Sequence, residues 1–183
     1  ETFFIDEEPN VKFGPMLLTP HTSSGQIREM ERTVAERREL ARERSETGVD
    51  GTRQTKTSGL NETDSISMKM LNIAKCYRRQ SDVSHAPMFH QFETLAISEK
   101  VSITHLKGVL DYFARSFFGS ERKTRIRPYH FEFTEPSFEV DVTCGVCNGK
   151  GCKLCKEGWL EMGGAGMVHP NVLRNCGIDP NKY

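Results

Sequence analysis

Two stretches of the chain alternate apolar and polar residues over lengths that suit β-strands: "ISMKMLNIAKCYRRQ" from Ile66 and "MFHQFETLAIS" from Met88. Strand side chains point to opposite faces in turn, so each stretch predicts one face turned towards a core. The turn-like "SDVSHAP" between them predicts an antiparallel hairpin with a long loop. A different period follows. Ile103, Leu106, Val109, Leu110, Phe113, Phe117 and Phe118 recur at helical spacing, predicting an amphipathic helix stopped by Gly119. Beyond it "TRIRPYHFEFTEP", "FEVDVTC" and "GWLEMGGAGMVH" read as strands, and "PNVLRNCGI" as a short helix stopped by Gly177. Hairpin-linked strands with intervening helices make the predicted fold class α+β, an antiparallel sheet flanked by helices.

The first third is less regular. Phe3, Phe4 and Ile5 form a short strand candidate, and Leu17 and Leu18 lead into a Pro/Ser/Thr/Gly cluster that reads as a turn. Ser23 or Ser24 can cap a helix with Ile27, Met30 and Val34 on one face. That helix runs into a stretch dense in Arg and Glu, then in Gly, Thr and Ser, which reads as a solvated helix followed by a flexible loop. Residues 31–64 therefore look like a charged surface insertion. The chain opens "ETFFI", without Met and as if in mid-strand, so it reads as a fragment of a longer protein.

Charge narrows the partners. Lys and Arg total 25, as do Asp and Glu, so no global basic footprint exists and a nucleic acid would need a local patch or another chain to hold it. No run approaches the roughly 18 apolar residues of a membrane helix, and no signal-peptide pattern opens the chain. Four of the six cysteines form two CxxC pairs in "CGVCNGKGCKLC", four residues apart. That spacing suits a tetrahedral tetrathiolate zinc site on Cys144, Cys147, Cys152 and Cys155, and unmetallated thiols in a reducing compartment fit it too.

Two other constellations bear on chemistry. Alternation puts Cys76, Arg78 and Gln80 on one strand face, and Phe89, Gln91, Glu93 and Leu95 on one face of the returning strand. Arg78 with Gln91 and Glu93 suits a zwitterion beside a phosphate, the guanidinium forking onto oxygens while the amide and carboxylate accept from an ammonium. A solvated sheet face accounts for the same spacing. Phe131 and Phe133 share a strand face with Glu132 opposite, which suits either an aromatic ligand or core packing.

"LLTPHTSSGQIREM", "CYRRQSDVSHAPMFHQFETLAI", "LKGVLDYFARSFFG", "RIRPYHFEFTEPSFEVDVTC" and "GWLEMGGAGMVHPNVLRNCGIDPNKY" together resemble the α subunits of bacterial phenylalanyl-tRNA synthetases, which belong to class II. The likeness covers nearly the whole chain outside residues 31–64. It implies a class II catalytic core over 1–183, incomplete at both ends, with a six- to seven-stranded antiparallel sheet, the charged insertion at 31–64 and a cysteine-rich hairpin at 141–161. It implies ATP-dependent activation of phenylalanine to phenylalanyl-adenylate, transfer to tRNA(Phe), a cytoplasmic α₂β₂ heterotetramer with a β subunit, and Mg²⁺. By the family's pattern His21 and Ser23 line the amino-acid pocket, Gln91 and Glu93 hold the ammonium, and Phe131 and Phe133 sandwich the ring. Arg78 is the motif 2 arginine bridging substrate carboxylate and α-phosphate. Gln80 stands at an ATP-contacting position, His85 meets the phosphates, Phe89 stacks on adenine and Glu135 takes part in binding Mg²⁺ near the partner subunit.

Departures from the pattern qualify this. Gln80 replaces a usual acid, Ala74 and Thr94 replace usual glycines, and "LLTPH" lacks an arginine. Of the two lost glycines, Thr94 is expected to matter more because it adjoins Glu93. Motif 1 and the glycine-rich motif 3 with its arginine fall outside the 183 residues, so these alone are expected to activate little or no phenylalanine. Two competing readings are a synthetase-like remnant without activity and a zinc-ribbon binding module. Against the latter, Lys150, Lys153 and Lys156 are the only basic residues among the cysteines.

Overall fold

The computed structural model of the chain describes residues 2–47, 65–82 and 85–183, so the flexible loop expected in the second part of the 31–64 stretch lies outside the described residues. Two compact units divide the chain, Glu1–Glu99 and Lys100–Tyr183.

In the first unit, α1 (Ser24–Thr47) packs on the start of β1 (Met68–Tyr77). Met30 and Val34, four residues apart, are buried, as their spacing predicts, whereas Ile27 is exposed and does not join them. The opposite side of α1 is polar, where Arg32 bridges Glu29 and Glu36. The expected hairpin is present: β1 pairs antiparallel with β2 (Met88–Ile97) over ten residues a side. Residues 68, 76, 95 and 97 are buried on the inner face, while Leu71, Ile73 and Phe92 stand more than 40% exposed on the outer one. The face carrying Gln91 and Glu93 is thus the inner one, which decides against a solvated face. Phe3–Ile5 does not form a strand. Phe4 makes an isolated antiparallel bridge to Leu17, with Ile5 N–H donating to Met16 O and Leu18 N–H to Phe3 O.

In the second unit α2 (Ile103–Phe118) ends at Gly119, as expected, and is tied to β3 (Thr124–Tyr129) by Lys107, Asp111 and Thr124. β4 (Thr134–Thr143) lies between β3 and β5 (Trp159–Val168), antiparallel to both. α3 (Pro170–Asn175) closes with Gly177 at φ 77°, its N–H donating to Arg174 O and that of Ile178 to Leu173 O, while Leu173 and Ile178 are buried together. These paired bonds and the apolar contact make a complete Schellman stop. Among the described residues there are five strands, in antiparallel sheets of two and three, against the six- to seven-stranded sheet that the resemblance implies. No helix among them is long and apolar enough to cross a membrane.

Asp141 on β4 is buried, and its carboxylate accepts from Arg125 and Arg127, while Arg127 also bridges Glu139. The Arg127 bonds, reinforced by Arg125, hold the Asp141 carboxyl below its ordinary range despite burial. A carboxyl with a depressed folded value stabilises above its unfolded pKa and loses that contribution as pH falls through the folded one. Asp141→Asn should therefore cost about 2–3 kcal/mol at pH 7, with the arginines half-exposed, and should flatten the acid limb of a stability–pH profile measured by urea titration.

Candidate functional site

The β1–β2 register sets Cys76 opposite Phe89, Ala74 opposite Gln91 and Asn72 opposite Glu93. Phe89, Gln91 and Glu93 thus share the inner face, as the alternation predicts. Arg78 and Gln80 do not continue it as strand residues, because the ladder ends at Tyr77. Arg78 is placed instead by specific contacts. Its backbone N–H donates to Pro87 O, its Nε donates to Pro20 O at 3.2 Å, and its guanidinium lies 5.1 Å over the Phe89 ring. These fix the guanidinium plane, and the two terminal nitrogens form the fork that suits carboxylate or phosphate oxygens.

Residues 19–26 cover this face. Tyr77 N–H donates to Thr19 O, and Asn72 Nδ2 to Thr22 O at 2.9 Å. Thr22, only 2% exposed, donates its hydroxyl to Glu93 Oε2 at 2.6 Å, and Gln26 Nε2 donates to Glu93 Oε1 at 2.6 Å. Both carboxylate oxygens are therefore oriented by neutral donors, which leaves the negative charge intact for a cation. Sequence reasoning missed Thr22 and Gln26. Thr22 stands between His21 and Ser23, yet no local spacing relates it to a residue 71 positions away. Beside this engaged carboxylate, the buried Oε1 of Gln91 has no hydrogen-bond partner. A buried acceptor left unpaired is costly, so it marks a place for a donor.

His21 is exposed, and its Nδ1 accepts from the backbone N–H of Ser23, which is half-buried. His85 is an exposed loop residue paired with Asp82, whose carboxylate meets both its backbone N–H and its ring Nδ1. The two departures at glycine positions change rank. Thr94 faces outward opposite Leu71, whereas Ala74 stands on the inner face opposite Gln91, so the added Cβ nearest the constellation is that of Ala74.

In the second unit, Phe131 and Phe133 do not lie on a strand face with Glu132 opposite. They occupy the connection between β3 and β4, where Thr134 N–H donates back to Phe131 O and the buried Ser137 hydroxyl accepts from Phe131 N–H. The turn still brings the rings together, 5.6 Å between centroids and 22° from parallel, with Tyr129 at 4.9 Å from Phe131. Gly164 of β5 lies beneath Phe131, and a Cβ there would come within 2.6 Å of the ring. Glu135, two residues beyond Phe133, is 69% exposed and 3.3 Å from Nε2 of His169.

The four cysteines converge. Their sulfurs all lie within 4.8 Å of one another, with Cys147–Cys155 at 3.4 Å, Cys152–Cys155 at 3.5 Å and Cys144–Cys152 at 4.0 Å. Tetrahedral Zn–S bonds of about 2.3 Å require sulfurs about 3.8 Å apart, so the set fits that ion. Gly151, at φ 94°, donates its N–H to Cys147 Sγ, and a Cβ on it would press on Lys156 O. Burial and the neighbouring thiols push Cys155 up to about 12, while the N–H and thiol of Cys155 and the N–H of Leu154 lower Cys152.

Residues 1–183 match the family of tRNA synthetase class II core domains (F). The chain belongs to that class II synthetase core family. Among curated proteins it is 53% identical over 118 residues to the phenylalanine–tRNA ligase alpha subunit of Alkaliphilus metalliredigens, and 55% and 53% identical over 118 residues to those of Clostridium perfringens (strain SM101) and Clostridium beijerinckii. In each case the match covers 63% of this chain and 35% of the relative. The match thus spans about a third of the length of these curated relatives. The residues described above form three groups: the face of Gln91 and Glu93 in the first unit, and the aromatic turn and the four thiols in the second.

Proposed function

We propose that this chain is the amino-acid-activating part of a phenylalanine–tRNA ligase α subunit. It binds phenylalanine and ATP, forms phenylalanyl-adenylate with release of pyrophosphate, and serves transfer of the phenylalanyl group to tRNA(Phe) as part of a cytoplasmic α₂β₂ assembly with a β subunit. In this reading residues 31–64 are an insertion in the core, and 141–161 a hairpin closed by zinc.

The observation that carries it is the unpartnered Gln91 Oε1 beside a Glu93 carboxylate oriented by Thr22 and Gln26. An α-ammonium supplies what this pair lacks, a donor for the amide oxygen and a positive charge for the acid. His21 and Ser23 border the amino acid, and Phe131 and Phe133 take its ring. The substrate carboxylate is already ionised, so no general base is needed: one of its oxygens bonds to the α-phosphorus of ATP as the bond to pyrophosphate breaks. Arg78 spans carboxylate and α-phosphate, holding them in line and countering the charge that develops on phosphorus. Gln80, His85 and Phe89 border the nucleotide, Phe89 through its ring face.

Glu135, an exposed carboxylate, offers a hard oxygen donor of the kind Mg²⁺ takes, at a position that the family's pattern puts near the partner subunit. The four thiols fit zinc, and a site with four protein ligands leaves no open position for chemistry.

The test is amino-acid-dependent ATP–pyrophosphate exchange by the full-length protein with its β subunit. Phenylalanine should support exchange and tyrosine should not. Gln91→Leu should raise KM for phenylalanine about tenfold with the thermal midpoint held or raised, since an unpaired buried acceptor is removed. Absence of phenylalanine-dependent exchange by the wild-type assembly would sink the reading.

A further inference from the structure

Asn72 stands directly across the ladder from Glu93, so both side chains belong to the inner face of the hairpin. Its amide reaches the covering segment: Nδ2 donates to Thr22 O at 2.9 Å. The same threonine sends its hydroxyl to Glu93 Oε2 at 2.6 Å. Asn72 thus holds Thr22 by its backbone, while Thr22 holds the acid by its side chain. Gly25, in the first turn of α1, makes this approach possible. A Cβ there would stand 2.5 Å from Asn72 Nδ2 and 3.2 Å from Met70 Cε. Gln26, the next residue of the helix, donates to the other carboxylate oxygen, Oε1.

We propose that Asn72 is a positioning residue for Glu93: by clamping the Thr22 carbonyl against the bare backbone of Gly25, it fixes the direction in which the carboxylate meets an ammonium. This rests on the ammonium reading of Gln91 and Glu93 given above. Thr22 and Gln26 do not set that direction by themselves. A hydroxyl turns to suit whatever acceptor is near, and a glutamine side chain is long and flexible, so both aim the acid only when their main chain is fixed. Tyr77 N–H ties the segment at Thr19 O, and the Asn72 amide ties it again at the residue that touches Glu93. A bond that merely satisfied the Thr22 carbonyl would affect every ligand of the site alike. A clamp on the acid affects only ligands that carry a positive nitrogen.

Two pieces of phenylalanine separate these roles as inhibitors of pyrophosphate exchange by the full-length protein with its β subunit. 2-Phenylethylamine keeps the ammonium and lacks the carboxylate, and 3-phenylpropanoate does the reverse. Asn72→Leu preserves the shape of the amide and removes its donor. It should raise KM for phenylalanine and the inhibition constant of 2-phenylethylamine about tenfold, with kcat and the constant of 3-phenylpropanoate held within about twofold. Gly25→Ala, whose Cβ displaces the same amide, should give this pattern without altering Asn72 itself. Thr22→Val should raise the same two constants, and Asn72→Leu added to it should raise them little further, because the clamp acts through that hydroxyl. Equal weakening of both inhibitors in Asn72→Leu and Gly25→Ala would show a general distortion of the site and overturn the assignment. Unchanged constants in both variants, with Glu93→Gln raising them, would overturn it too and leave Glu93 the ammonium acid without this support. Unchanged constants in Glu93→Gln would overturn the ammonium reading itself, and the assignment with it.

Discussion

Arg78→Ala is expected to reduce phenylalanine-dependent pyrophosphate exchange by about 10²- to 10³-fold, the cost of removing one preorganised donor from a developing oxyanion. Most of the loss should fall on kcat, because the guanidinium is asked to do more for the charged transition state than for bound substrates. Arg78→Lys should recover little. A lysine keeps the charge but lacks the planar fork, the Nε bond to Pro20 O and the stacking over Phe89 that aim it. Phe89→Leu supplies the control: it removes the ring beneath the guanidinium but not the charge, and should cost less than Arg78→Ala. A threefold loss or less in Arg78→Ala would show that the arginine merely packs against Phe89 and Pro20.

Cys155→Ser is expected to have the other large effect, on stability. The chain should carry one zinc ion, lose it in this variant, and lose roughly 3 kcal/mol or more with it, since metal binding free energy adds directly to folding free energy. Metal analysis and urea midpoints measure the two together. Discrimination between phenylalanine and tyrosine should be unchanged in whatever fraction remains folded. A Cys155→Ser protein with full metal content and an unshifted midpoint would show the four thiols to be only neighbours, and altered discrimination would give the hairpin a role in the reaction.

Much of this was legible in the linear pattern, for definite reasons. The period of two in residues 68–77 and 88–97 set the hairpin and the face shared by Gln91 and Glu93, because that pattern depends only on pleat geometry. The helical period over 103–118 and its glycine stop were equally local. The failures came where tertiary contacts override local pattern. "HFEFTEP" alternates like a strand, yet the Ser137 hydroxyl accepting from Phe131 N–H and a bond from Thr134 back to Phe131 bend it into a turn. Arg78 lies past the end of its ladder and is oriented by Pro20, 58 residues away. Thr22 and Gln26 reach Glu93 across similar separations, and no short-range rule anticipates such partners.

The bare backbone of Gly164 under Phe131 has an effect on which aromatic side chains such a protein can be made to accept. With peptide on one side and Tyr129 at its edge, Phe131 has no room to retreat, and β5 offers no side chain there whose trimming would create any. Phe133 is half-exposed and stacked only from one side. The Phe131 ring is thus backed by main chain, whereas the Phe133 ring is not. If these two rings take the substrate's ring as proposed, selection for a bulkier one would find its route through Phe133 rather than Phe131.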